Sequence, residues 1–293
     1  MDTVLRYRDR HISSADIAFI ASLIAQHPQA KRRALSIKLC EAWNWMQPNG
    51  ALRDGVCRSL LLLLHRAGHI TLPPSQSPNR RVPAKRVVAP ADIEVDSEPV
   101  CGPLAALGPV EIHQVRRTPD EVLVESLLAR HHYLGYKQPV GEHLKHLVVA
   151  RGRPIACFAW SSAPLHLEAR DQYIGWSHAA RRHHLHLVAY QSRFLILPWV
   201  RVPHLASHLL GRMSRLLSAS WEKVYAHPIV WTMTFVDPSR YRGTCYRAAN
   251  WTYLGMTSGR GNNAPTKRTT VPPKQVFGYP LVRDFRRRLC EGG

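Results

Sequence analysis

Acidic residues are scarce in this chain. Its 293 residues include 20 Asp and Glu against 40 Lys and Arg, a formal net charge of +20. Such a balance bears on partners rather than on fold, and a polyanion is the natural counterpart. Long apolar runs are also lacking. No stretch reaches the roughly 18 apolar residues of a membrane span, and the Leu60–Leu64 run lies inside an amphipathic helix pattern. No basic amphipathic helix with an aromatic face stands out, so nucleic acid is a stronger candidate partner than a membrane surface. The six cysteines are scattered, without a C-x-x-C pair, which suits a reduced chain whose thiols pack as small hydrophobes. The opening MDTVLRYRDR is charged and has no apolar h-region. No secretory signal is expected there, and a cytoplasmic location is. GxSxG, HExxH, Walker A and GxGxxG are all absent, so no familiar short motif names a chemistry.

Hydrophobic residues make up 45% of the chain, enough for buried cores, and the pattern divides into three parts. Residues 1–72 read as a helical module. Ser13 or Ser14 caps a first helix with Ile17, Ile20, Ala21 and Ile24 on one face. A second helix runs through AKRRALSIKLCEAWNW, Pro48-Asn49-Gly50 turns the chain, and a third helix places Val56, Leu60, Leu63, Leu64 and Ala67 together before Gly68. HITLPP then reads as a short strand. Three helices and a strand are the layout of a winged helix-turn-helix, with Arg53 and Arg58 expected on the outer face of the third helix, where base edges are read. Residues 73–110, rich in proline and serine, read as an extended linker.

From 111 to 293 the pattern is α/β. Thr118 with Glu121 suggests a capping box, and HLVVARGRPIACFAW reads as two strands around a tight turn. SRFLILPWV is a strand, LASHLLGRMSRLL a helix, PIVWTMTFV a strand, RGTCYRAAN a short helix and WTYLGMT a final strand, with a basic tail after it.

Several blocks here resemble one bacterial family. They are His132-Tyr133-Leu134-Gly135-Tyr136 with Pro139-Val140-Gly141, Ala159-Trp160-Ser161-Ser162-Ala163, and Arg170-Asp171 with Ile174-Gly175-Trp176-Ser177. Arg193-Phe194-Leu195-Ile196-Leu197-Pro198 belongs with them, as does the long block from Phe235-Val236-Asp237 through Arg242-Gly243-Thr244-Cys245-Tyr246-Arg247-Ala248-Ala249-Asn250-Trp251 to Gly259-Arg260-Gly261. The family is DruA, of the Druantia anti-phage systems, and the resemblance spans roughly residues 110 to 290, with LCEAWNW and NGALRD also similar. It implies a role in phage defence or beside mobile elements and no defined mechanism, so DNA binding stands beside two alternatives: a nucleic-acid-processing enzyme (metal-dependent nicking, or GNAT-like base or tRNA modification) and an adaptor for a helicase or transposase. Where the family tends to carry two asparagines before the Arg-Phe-Leu strand, this chain has Tyr190-Gln191. A fainter likeness joins residues 193–257 to the core of the GNAT acyltransferases, which hold acyl-CoA pyrophosphate on backbone N–H groups at a helix start. The matching loop, Val200 to Ser207, has no glycine and contains Pro203, so acyl-CoA is a doubtful cofactor. The expected architecture is therefore α/β (α+β), a winged-helix-like module followed by a GNAT-like mixed-sheet domain.

Residues 239–293 hold eleven Lys and Arg against two acids. Arginines interleaved with aromatics suit phosphate contact and base stacking. The nucleic-acid candidates are Arg53, Arg58, Arg193, Arg242, Tyr246, Arg247, Asn250, Trp251 and Arg260, and the cations of the C-terminal third are expected to gather on a single concave face. For Trp251 the alternative is core packing. Catalytic candidates are Asp171, Asp237, His132 and Cys245. The two carboxylates would hold Mg²⁺ for nicking chemistry, although Asp237-Pro238-Ser239 is equally a turn or cap. Cys245, between Arg242 and Arg247, would be a nucleophile if its pKa were lowered. His183, His184 and His186 read as a basic surface rather than a zinc site.

Overall fold

The computed structural model describes residues 3–7, 10–47, 50–74, 93–259, 269 and 271–291. Two compact units form: Met1–Val87 with Glu222–His227, and Val88–Trp221 with Pro228–Gly293.

The first unit opens on a hairpin of β1 (Thr3–Tyr7) and β2 (Arg10–Ser13), followed by α1 (Ser14–Gln26), α2 (Arg32–Ala42) and α3 (Asp54–Arg66). Ser13 caps α1 reciprocally: its Oγ accepts the Asp16 N–H at 3.2 Å, and the Asp16 carboxylate accepts the Ser13 N–H at 2.9 Å. Ile12, Ile20, Leu35, Leu39, Val56, Leu60 and Leu64 form its core.

Three expectations change in this unit. The expected HITLPP strand does not form, since residues 70–74 have no regular structure. Ile70 and Leu72 are nevertheless buried, and that alternation imitates a strand. A hairpin that the periodicity did not announce precedes the helices. Arg53 is not on an outer face: it is 3% exposed, sits just before α3 and donates to the Tyr225 carbonyl. Arg58 is exposed, with Asp54 at 3.8 Å. Pro48 and Asn49 lie outside the described residues.

The second unit is built on a seven-stranded mixed sheet. Its strands are β4 (Val110–Gln114), β5 (His143–Ala150), β6 (Arg153–Ser162), β7 (Val188–Ile196), β9 (Trp231–Val236), β10 (Thr252–Met256) and β11 (Gln275–Pro280). The order across the sheet is β10-β11-β9-β7-β6-β5-β4. Every neighbouring pair is antiparallel except β7 and β9, which run parallel from Val188↔Trp231 to Gln191↔Thr234. A parallel pair needs a crossover, and α7 (Leu205–Tyr225) supplies it. The strand–helix–strand–helix–strand core expected over 193–257 is thus present, completed by α8 (Thr244–Ala248). The remaining helices are α4 (Glu121–His131), α5 (Glu168–Ile174), α6 (His178–His184) and α9 (Phe285–Cys290).

Part of the expected linker is built into this unit. A short β3 (Val100–Cys101) pairs in parallel with β8 (Val200–Arg201), and Arg153 clasps Asp96 at 2.6 Å. The Thr118 capping box does not form. Thr118 Oγ1 donates to the Val115 carbonyl at 2.8 Å, and the Glu121 carboxylate accepts the Arg117 N–H at 2.6 Å. Glu121 and Glu125 hold the fully buried Lys145 ammonium, each at 2.5 Å. The basic tail is also not a tail. β11 inserts between β9 and β10, and Gly278 there leaves the space that the Trp231 indole fills.

His146 on β5 is 1% exposed, and neither ring nitrogen has a hydrogen-bond partner among the described residues. Burial pushes its pKa down to about 3. The native state then binds fewer protons than the unfolded chain below the ordinary histidine range, so stability is present above pH 6.5 and drains away as pH falls toward 3. The loss from this group alone is about 2–3 kcal/mol at pH 4.5. His146→Leu removes it, and thermal melts of the variant at pH 4.5 and 7.5 should lie closer together than those of the parent.

Candidate nucleic-acid interface

The parallel pairing of β7 and β9 stops at Gln191↔Thr234, and the strands diverge there. Gln191 is 2% exposed, and its Oε1 accepts the Tyr246 hydroxyl at 2.7 Å. Thr234 Oγ1 donates to the Gln191 carbonyl at 3.1 Å. The Gln191 Nε2 has no hydrogen-bond partner among the described residues. The Tyr246 ring packs edge-on against Trp251 at 5.2 Å and stacks on Phe277 at 5.6 Å. Gly243 makes this possible. Its φ of +70° turns the chain into α8, and a Cβ there would stand 2.7 Å from the Phe277 ring.

Two segments meet at the surface beside this divergence. One is the turn after β9. Asp237 Oδ1 accepts from the Ser239 N–H at 3.0 Å and its hydroxyl at 2.6 Å. The Asp237 carbonyl accepts from the Arg240 and Tyr241 N–H groups at 3.1 and 2.9 Å. The Ser239 hydrogen bonds, helped by Lys274 and Arg240, lower the Asp237 pKa. The other segment is the turn after α4. His132 Nδ1 accepts the Leu134 N–H at 3.2 Å, the His132 carbonyl accepts the Gly135 N–H at 2.7 Å, and Arg193 Nε donates to the Gly135 carbonyl at 2.7 Å. Burial, then the Arg193 charge, pushes the His132 pKa down to about 4, so its imidazole is neutral with Nδ1 already in use. Tyr133 stacks on His132 at 4.9 Å, lies 5.6 Å from Tyr241, and carries the Arg240 guanidinium 5.0 Å from its ring centre.

The other sequence candidates scatter. Tyr246 and Trp251 are 8% and 3% exposed: they are core, and no base reaches their ring faces. Arg242 and Arg247 are exposed, Arg247 lying over Tyr253 and Phe277 at 5.4 and 5.2 Å. Asn250 is exposed with φ +62°. It ends α8 in the left-handed conformation that asparagine tolerates. Arg193 is half-buried and spends its Nε on Gly135. Arg260 lies outside the described residues. Cys245 is half-buried, and burial raises its pKa, the reverse of an activated thiol. His184 Nε2 and His186 Nδ1 each lie against a backbone carbonyl, at 2.8 and 3.0 Å.

Asp171 is a structural anion. Its carboxylate accepts from Arg170 at 2.7 and 2.9 Å, Trp176 Nε1 at 3.0 Å and Arg181 at 2.8 Å. Arg170, itself fully buried, also donates to the Pro164 carbonyl at 2.7 Å. With Asp171 consumed and Asp237 capping a turn, the residues do not fit a Mg²⁺ pair. No group of three or more His, Cys, Asp or Glu is placed to hold a metal ion among the described residues. The Val200–Ser207 loop has no glycine to bring its backbone close to an acyl-CoA pyrophosphate. The edge at Trp199 is taken by the Val100 N–H at 2.9 Å, and Pro203 has no N–H.

The cations do not gather on one face. Alternate residues of a strand face opposite sides. Phe277 meets Tyr246 and Arg247, whereas Val276 joins the cluster with Phe285 and Leu289 of α9. Arg287 and Arg288 of α9 pair with Asp284 at 2.6 and 3.1 Å. Arg240, Arg242, Arg247 and Lys274 make no ion pair among the described residues, and around the β9 turn they are opposed by Asp237. Arg240, Tyr133 and Tyr241 come together at this surface and are candidates that no short motif singled out. The alternation Arg240-Tyr241-Arg242 was their signal.

A family model described as Druantia protein DruA matches residues 96–265. The chain belongs to the DruA family. No curated protein sequence matches it. Solved structures similar to it are acetyltransferases. An aminoglycoside acetyltransferase AAC(6')-Ib is 15% identical, covering 61% of this chain and 98% of that one, with a TM-score of 0.38. An N-acetyltransferase from Staphylococcus aureus is 12% identical over 59% of this chain and 99% of its own, with a TM-score of 0.37. A polyamine N-acetyltransferase from Drosophila melanogaster is 11% identical over 59% and 100%, with a TM-score of 0.36. None of these acetyltransferases lends the DruA-family chain an activity.

Asp171→Ala leaves the Arg170 guanidinium buried without its counterion, and should cost about 3–5 kcal/mol in chemical denaturation. Gly243→Ala should cost about 1–3 kcal/mol, since both φ and Phe277 resist a Cβ. Asp237→Ala, in an exposed turn, should cost under about 1 kcal/mol. A metal-site pair would show equal, small stability effects at the two aspartates.

Proposed function

We propose that this protein is a DNA-binding component of a Druantia-type anti-phage defence system, acting in the cytoplasm. The reading rests on DruA-family membership together with one observation: four cations, Arg240, Arg242, Arg247 and Lys274, make no ion pair among the described residues around the β9 turn, in a chain of net charge +20. Cations left unpaired on a surface are a phosphate-binding feature rather than a stabilising one. Tyr241, 53% exposed, and Tyr253, 40% exposed, interleave with them, a mixture suited to backbone and base together.

The test is binding of labelled DNA across a salt series. Affinity should fall steeply and linearly on logarithmic axes, and the Arg242→Ala, Arg247→Ala, Lys274→Ala triple variant should lower the duplex slope by up to about 3. An unchanged slope would remove these residues from the interface. In cells carrying the complete defence locus, the same variant should plate phage more efficiently than the parent.

A further inference from the structure

The assembly of His132, Tyr133, Arg240 and Tyr241 is organised before any ligand arrives. Each turn is closed by its own hydrogen bonds: Asp237 with Ser239, Arg240 and Tyr241 on one side, His132 with Leu134 and Gly135 on the other. Arg193 ties the second turn to β7. Tyr133 is gripped between neighbours, with His132 at 4.9 Å and 28° and Arg240 at 5.0 Å. Tyr241, inclined 58° to Tyr133 at 5.6 Å, is the member left open, at 53% exposure. A rigid, backed aromatic ring at the surface loses little freedom when it is covered, so most of its contact energy reaches the ligand.

We infer that Tyr241, backed by Tyr133, is a stacking platform for an unpaired nucleobase, with Arg240 and Lys274 on the flanking phosphates. This deepens the proposed nucleic-acid role and rests on it. Bases inside a duplex already stack face to face, and what they show a protein is their edges. An aromatic side chain that offers its face gains only from a base that is unstacked. The ligand class is therefore single-stranded or locally opened nucleic acid. A displaced DNA strand and an RNA present the same base face and phosphates, and are separated below by the sugar.

The experiment measures fluorescence anisotropy of a labelled oligo-dT 20-mer, an oligo-rU 20-mer and a 20-base-pair duplex, with the parent, Tyr241→Ala and Tyr241→Phe. The single strands should bind tighter than the duplex. Tyr241→Ala should weaken single-strand binding about tenfold, near the size of one lost stack, with the duplex affinity and both salt slopes unchanged. Tyr241→Phe, which keeps the ring, should stay within about twofold of the parent. Tighter binding of oligo-dT names DNA as the source, and tighter binding of oligo-rU names RNA. If Tyr241→Ala leaves the single strands untouched, or weakens strand and duplex alike, the platform is wrong while the binding role stands. If no oligonucleotide binds at low salt, the binding role falls and takes the platform with it. The exposed position of Tyr241 predicts an unchanged melting temperature for both variants, so loss of fold does not imitate the effect.

Discussion

Parallel pairing between β7 and β9 ends at Gln191 and Thr234, and the candidate interface is suspended from that ending. A sheet that diverges between two strands leaves backbone and side chains with no strand to face. In this chain the gap is closed from within: the Tyr246 hydroxyl reaches the Gln191 amide oxygen, and Thr234 reaches its carbonyl. One neighbouring turn is then tied down by Arg193, two residues beyond Gln191, and the other leaves β9 at Asp237, three residues beyond Thr234. Crevices at the carboxyl ends of strands, where a sheet changes direction, are where open α/β folds bind ligands. The two turns of this interface are therefore fastened to the sheet beside that ending. Loss of the Tyr246 hydroxyl would leave the buried Gln191 Oε1 without its donor, a cost of about 1–3 kcal/mol.

Scarcity of acids shapes the surface as much as abundance of bases does. Among the described residues, several acids of the second unit are committed inside their own neighbourhoods. Glu121 and Glu125 hold Lys145, Asp171 holds Arg170 and Arg181, Asp96 holds Arg153, and Asp284 holds Arg287 and Arg288. Asp237 is turned onto Ser239. These anions neutralise cations that burial or helix packing would otherwise penalise, and among the described residues none of them pairs with Arg240, Arg242, Arg247 or Lys274. A positive patch of this kind arises by subtraction, and no inventory of basic residues alone locates it.

Much of the fold was legible because strand alternation and helix spacing are local. The β5–β6 hairpin, α7, β9, α8 and β10 all follow from period and turn chemistry. What was not legible was long-range. β11 follows a stretch without a strong pattern, and only pairing with β9 and β10 makes it a strand. Arg53 and Arg58 look alike in sequence, yet one is 3% exposed and the other lies on the solvent side. Tyr246 and Tyr241 look alike too. The left-handed turn at Gly243 separates them, sending α8 inward over Phe277 while the preceding turn stays outside. The Arg170-Asp171 and Trp176 block was readable as a motif but not as a role, because nothing local shows that Arg170 is fully buried.

The Tyr190-Gln191 pair illustrates how a side chain's face decides what chemistry it must keep. Consecutive strand residues point to opposite sides, so the two positions answer to different demands. Tyr190 meets Phe235 at 5.0 Å, and burial pushes its pKa up to about 12, so it serves as a neutral aromatic and needs no amide. Gln191 faces Tyr246, whose hydroxyl requires an acceptor in a site that water does not reach. An amide suits that place better than a carboxylate, which would be an uncompensated buried charge. The amide requirement in this chain thus falls on one of the two positions, where its oxygen holds Tyr246 of α8 against the diverging strands.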